Sequence, residues 1–128
     1  MILSRKAIRL ALHKGLLAIT PFSDEQIQPA HIDLHLDGSD EITVPAKGFV
    51  LAQIKEKITL SGSLCAFMEG RAGLAKQGIS IEQSSTFVEP GSDSQMTLEI
   101  FNASTSPVTL AAGQPIAKLF VQKLTDEI

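Results

Sequence analysis

Arg71, Lys76 and Glu99 are the residues of this chain whose types can work together chemically. The two cations frame a short run, Arg71-Ala72-Gly73-Leu74-Ala75-Lys76. A guanidinium offers planar, bidentate contacts to a phosphate. Ala72 and Gly73 carry almost no side chain, so backbone and ligand can approach closely there. Glu99 lies in the alternating stretch QMTLEIFN, opposite its apolar face and beside Gln95, Thr97 and Phe101. A carboxylate next to a basic corner can act as a general acid or base beside a bound anion. Each feature also has a plainer meaning: a tight corner between strands for the hexamer, and a surface carboxylate for Glu99.

Two other groups invite the same question. In HIDLHL, His31, Asp33 and His35 fall on one face of an alternating segment. Such a row can hold a divalent metal. No further Cys or His cluster completes a site, so a solvated outer face is the expectation. Cys65 lies among Leu64, Ala66 and Phe67 and reads as a buried structural thiol. As the single cysteine it excludes an intramolecular disulfide and suits a reducing interior.

The elements that must position these residues can be read from the periodicity. Ser4 caps a helix running to about Lys14, with Gly15 as its left-handed stop and Ile8, Ala11 and Leu12 as its apolar stripe. Pro21 and Pro29 exclude a continuous helix through the next segment. Strands are expected at HIDLHL, at KGFVLAQIKEKITL after the Pro45–Gly48 turn, at SLCAFME, at ISIEQSSTF and at QMTLEIFN. Two more strands flank Ala112 and Gly113. Many short strands with little helix predict an antiparallel sandwich or barrel. There is no internal repeat or linker, and 128 residues suit a single domain spanning 1–128. A net charge of −3 gives no basic footprint for nucleic acid. No stretch approaches the roughly 18 consecutive apolar residues of a membrane helix. The interspersed basic residues of MILSRKAIRLALHKGLL are not followed by a secretory apolar core, so a cytoplasmic protein is expected.

In their order and spacing, RAGLAKQGI, STFVEPGSDSQMTLEIFN and LAAGQPIAKLFVQKL resemble the dCTP deaminase branch of the dUTPase-like superfamily. The front end, LSRKAIRLALHKGLLAITPF and QPAHIDLHL, is similar to that family's N-terminal helix and first strand, so the resemblance covers nearly the whole chain. It implies an all-β distorted jelly-roll barrel with a short N-terminal helix, assembled as a homotrimer with active sites between subunits. It implies zinc-independent deamination of a pyrimidine deoxynucleotide, dCTP, to dUTP, with Mg2+ accompanying the triphosphate. The H-x-E and P-C-x-x-C signatures of zinc deaminases are absent. By this resemblance Glu99 is the catalytic glutamate that activates water, Arg71 binds phosphate, and Lys76 offsets charge on the ring or leaving group. Ala72, Gly73, Glu82, Gln83 and Glu89 are the remaining substrate-binding positions.

The departures bear on activity. Ala72 stands where the family has its catalytic serine, and Lys76 where it has an arginine. Glu82 replaces a frequent His, and Phe87 a frequent basic residue. The family's C-terminal closing tail, and an insertion before VPAKGFVL, have no counterpart in these residues. The related dUTPase pattern fits less well. Its catalytic Asp aligns with Glu89, its sugar-stacking Tyr falls at Ser92, and RAGLAK is one residue short of its motif. Two readings therefore stand beside deamination of dCTP: a non-catalytic trimeric nucleotide-binding or regulatory barrel, and a dUTP diphosphatase.

Overall fold

The computed structural model describes residues 1–128. Helix α1 (Arg5–His13) begins at Ser4, whose hydroxyl accepts from the Ala7 amide, and stops at Gly15 with φ 73°. Its buried residues are Ile8 and Ala11, with Leu12 at the margin of the core. Arg9 donates twice to Asp24, at 3.1 and 2.8 Å, which pins α1 to a one-turn 3-10 segment (Asp24–Gln26). That hydrogen bonding holds the Asp24 carboxyl below its ordinary range.

Ten strands follow: β1 (Leu17–Thr20), β2 (Ile32–His35), β3 (Ile42–Val44), β4 (Phe49–Leu60), β5 (Leu64–Gly70), β6 (Ile79–Ser80), β7 (Phe87–Val88), β8 (Asp93–Asn102), β9 (Val108–Leu110) and β10 (Pro115–Lys123). A one-turn helix, α2 (Ala72–Ala75), lies between β5 and β6. One sheet has the order β1-β4-β8-β6, a second β2-β10-β5-β7, and β3 pairs with β9 as a ribbon. All the pairings are antiparallel. The architecture is the expected mainly-β one with a short N-terminal helix, built as two sheets and a ribbon. No closed barrel forms.

The alternation read from the sequence decides which faces meet. Ile54, Ile58, Leu98 and Ile100 point inward from the first sheet. Ile32, Leu34, Ala66, Met68, Leu119 and Val121 point inward from the second. All belong to one apolar core. Burying such an aliphatic side chain contributes about 1.5–3 kcal/mol. Cys65 is buried, as its neighbours suggested.

Three expectations change. ISIEQSSTF is not one strand: its start pairs with β8 in the first sheet and its end with β5 in the second. Its alternation serves a segment that crosses between sheets. RAGLAK forms a one-turn helix, ended by Gly78 at φ 88°, where a Cβ would stand 3.0 Å from the Ser104 amide nitrogen. Strands β1 and β3 were not anticipated, being only four and three residues long. No helix is long and apolar enough to cross a membrane.

The face of His31, Asp33 and His35 is not simply solvated. His35 Nδ1 lies 2.6 Å from Glu56 Oε2, and its backbone amide donates to Oε1 at 2.9 Å. Gln26 Nε2 donates to Oε2 at 2.9 Å. Glu56 sits on the inner stripe of β4 between Ile54 and Ile58 and is only 1% exposed. A buried carboxylate is tolerated when its oxygens are fully bonded. Glu56→Leu leaves these donors without an acceptor and costs at least about 1–3 kcal/mol. A urea unfolding curve checks this, and an unchanged midpoint refutes it.

Candidate functional site

The end of β5 delivers Arg71 to the mouth of a cleft of about 530 Å³. Arg71, Ala72 and Ala75 form one side of it, residues 79–82 another. Lys118 and Phe120 of β10 line its floor on the outer face of the second sheet. The register sets Lys118 between Asp33 on one side and Glu69 on the other. Opposite charges on neighbouring strands support one another, and Lys118 remains free of any ion pair closer than 4 Å.

Arg71 is half-buried, and its Nη1 donates to Asp33 Oδ1 at 3.1 Å. A guanidinium has five N–H donors, so most of its capacity is left for a ligand. Ala72 is exposed at the cleft wall. Its methyl group supplies no hydrogen bond there. Gly73 is exposed, no atom lies within 4 Å of where its Cβ would stand, and its φ is not positive. Nothing within the chain demands a glycine at that position.

Glu99 is half-buried on the outer face of β8, paired across the ladder with Leu51. Its amide donates to the Ile81 carbonyl at 2.9 Å, and its Oε1 accepts from the Gln83 amide at 3.2 Å. The crossing segment thus lines the cleft with residues 79–82 and touches the Glu99 carboxylate one residue later. Glu82 lines the cleft and is exposed. Gln83 contributes its backbone.

The other predicted residues lie outside this cleft within one chain. Lys76 caps α2, is exposed, and makes no ion pair. Glu89 is exposed in a turn, where its carbonyl accepts from Ser92 Oγ at 2.7 Å. No group of three His, Cys, Asp or Glu side chains is arranged to hold a metal ion. Sequence reasoning missed Lys118, Phe120, Glu69 and Asp33 as parts of the site. The signal for the first three was available, since they alternate outward on strands whose inner faces are apolar. The Asp33–Arg71 contact joins distant parts of the chain and needed the sheet register.

A β-rich domain thus carries a cleft with two cations and two carboxylates beside an outward glutamate. Residues 36–124 match the family described as dCTP deaminase-like, and the chain belongs to that family. It is 31% identical to "dCTP deaminase, dUMP-forming" of Mycobacterium ulcerans, over 98% of this chain and 82% of that protein. It is 33% identical to the protein of that name from Sulfurihydrogenibium sp., over 98% and 86%. Those alignments span 155 and 156 positions, more than the 128 residues present, so the relatives carry internal residues this chain lacks. Among solved structures, 2'-deoxycytidine 5'-triphosphate deaminase from Agrobacterium tumefaciens superposes with a TM-score of 0.80 at 16% identity. That match covers 96% of this chain, which spans about half (48%) of the Agrobacterium protein. EIAV dUTPase shares the fold at a TM-score of 0.68 and 21% identity, covering 88% and 92%.

Proposed function

We propose that this chain binds the magnesium complex of dCTP and deaminates its cytosine, as a cytoplasmic homotrimer. The observation that carries this reading is the Glu99 carboxylate, held by the Gln83 amide at the end of the segment that walls the Arg71 cleft. The relatives at 31% and 33% identity are named "dCTP deaminase, dUMP-forming", which supports the deamination of dCTP and names dUMP as their own product. Exposed apolar residues on β4, Leu51 at 66% and Phe49 at 52%, lie beside Glu99 and suit a subunit contact that would enclose it.

In this mechanism Glu99 takes a proton from water as the water oxygen bonds to C4 of the cytosine, the C4=N3 double bond opens, and N3 receives that proton. The remaining hydroxyl proton then passes through Glu99 to the departing amino group, the bond from C4 to that group breaks as C4=O forms, and ammonia and dUTP result. A positioned general base of this kind contributes about 10²–10⁴-fold. Arg71 and Lys118 meet the triphosphate. Lys76, exposed and unpaired, is available to offset charge in a site completed by a neighbouring subunit. Magnesium would arrive with the triphosphate and keep most of its waters. Glu69 and Glu82, on the cleft wall, are the carboxylates that would meet that water shell.

A second reading has its own observation. Ala72 presents a methyl group at the cleft wall where the family has a hydroxyl, which favours a domain that binds nucleotide without turning it over. Incubation with magnesium and each of dCTP, dUTP, dCMP and CTP, with chromatography of the products, separates the readings. Loss of ammonia from dCTP alone, slowed by chelation of magnesium, is the expected outcome. Monophosphate from dCTP matches the dUMP-forming relatives, and monophosphate from dUTP alone replaces deamination with diphosphatase activity. No conversion by folded protein leaves the non-catalytic binding domain.

Glu99→Gln should lower turnover by about 10²–10⁴-fold with nucleotide binding retained. Full turnover in that variant removes Glu99 from the mechanism. Ala72→Ser restores a hydroxyl at the wall and should raise kcat, by up to about 10²–10³-fold. No gain assigns the deficit to other departures.

A further inference from the structure

We propose that Asp33 is a positioning residue that aims the Arg71 guanidinium at the phosphates of a ligand in the cleft. The inference rests on the reading of the cleft as a triphosphate site. Arg71 Nη1 and Asp33 Oδ1 are 3.1 Å apart, joining the end of β5 to β2 across β10. The carboxylate is itself fixed. Oδ1 also meets His31 Nε2 at 3.1 Å, and Oδ2 accepts from Gln28 Nε2 at 3.2 Å. The His31 ring packs on Phe120, a residue of the cleft floor, with ring centroids 5.5 Å apart. The Asp33 and His31 side chains are only 21% and 18% exposed, against 34% for Arg71. Burial therefore increases from Arg71 toward β2.

An arginine side chain has large rotamer freedom, and a binding site loses affinity by ordering it on association. A carboxylate locked by two further partners orders it beforehand, while one guanidinium edge stays open. The same carboxylate adds a negative charge near an anionic ligand. Acting alone, that charge would weaken binding, so its removal would tighten it. The two effects have opposite signs, and the variant reports which prevails.

The test is a double-mutant cycle of Asp33→Asn, Arg71→Ala and the pair, read by calorimetric binding of inorganic tripolyphosphate and of dCTP with magnesium. The expected result is a roughly tenfold loss of affinity for both ligands in Asp33→Asn. In the Arg71→Ala background the same change should move affinity by less than about twofold. A purely structural Asp33 would weaken both backgrounds equally and lower the melting temperature along with affinity. That pattern overturns the proposal, as does unchanged or tighter binding in Asp33→Asn. Gln28→Ala, which removes one of the carboxylate's own partners, should show a smaller loss that likewise vanishes without Arg71. Protein that binds both ligands and shows the coupling, but never releases ammonia, keeps the clamp and removes the deaminase. Deamination without coupling removes the clamp alone. Protein that binds no triphosphate overturns it.

Discussion

The pairing of β4 with β8 is the constraint on which the rest of the structure depends. These are the two longest strands, and both alternate between an apolar inner face and a mixed outer one. Once Ile54, Ile58, Leu98 and Ile100 turn into the core, Glu99 has to face outward, because a one-residue slip would bury it and expose the aliphatic row. Edge strand β6 and the residues after it then run beside β8, and the amide of Gln83 reaches the carboxylate. Asn102 closes the far end. Fully buried, it donates to the carbonyls of Val44 and Ser106 and accepts from Ser104. It thereby ties β8, β3 and the β8–β9 loop together.

Charge is distributed over the second sheet with the same economy of position. Asp33, Lys118 and Glu69 form one row across three strands, and Arg71 follows directly at the end of β5. The cleft holds two cations, Arg71 and Lys118, and the carboxylates Glu69 and Glu82. It is close to neutral within one chain, so the phosphates of a nucleotide would be met by directed donors more than by a broad positive field. Directed donors work only when held in place, which makes the partners of Arg71 as consequential as Arg71 itself.

The departures from the family pattern act on these terms. Loss of one preorganised donor typically costs about 10²–10³ in rate. By the resemblance, Ala72 stands in place of a hydroxyl, and Lys76 stands as a point charge in place of a planar fork. Groups in one site act as a unit, so such losses do not multiply freely. What survives is the arrangement that places Glu99: the β8 register, the crossing segment, and the cleft beside it. The β2–β3 connection, where Gly38 turns with φ 117°, contributes no residue to the cleft.

Much of this was legible in the chain itself. Period-two alternation located β2 and β8 and assigned their inner faces, since a half-buried strand can satisfy its side chains in no other way; β4 was read from the turn before it and β5 from its run of large apolar residues. Ser4 and Gly15 bounded the helix because cap chemistry is local. The order and spacing of the motifs around Arg71 and Glu99 identified the family. Glu56 was not singled out from the sequence: it alternates with Ile54 and Ile58, but its charge disguised a buried position. Other features belong to the tertiary structure alone. ISIEQSSTF alternates like one strand, yet its two ends pair in different sheets, because the partners β8 and β5 lie far away in sequence. RAGLAK became a helical turn through the corner between them. The contact of Arg71 with Asp33 arises from the β2-β10-β5 register. A sequence determines which face a side chain takes through local geometry. Which distant residues share a cleft depends on strand order, and that is decided only when the whole core is buried at once.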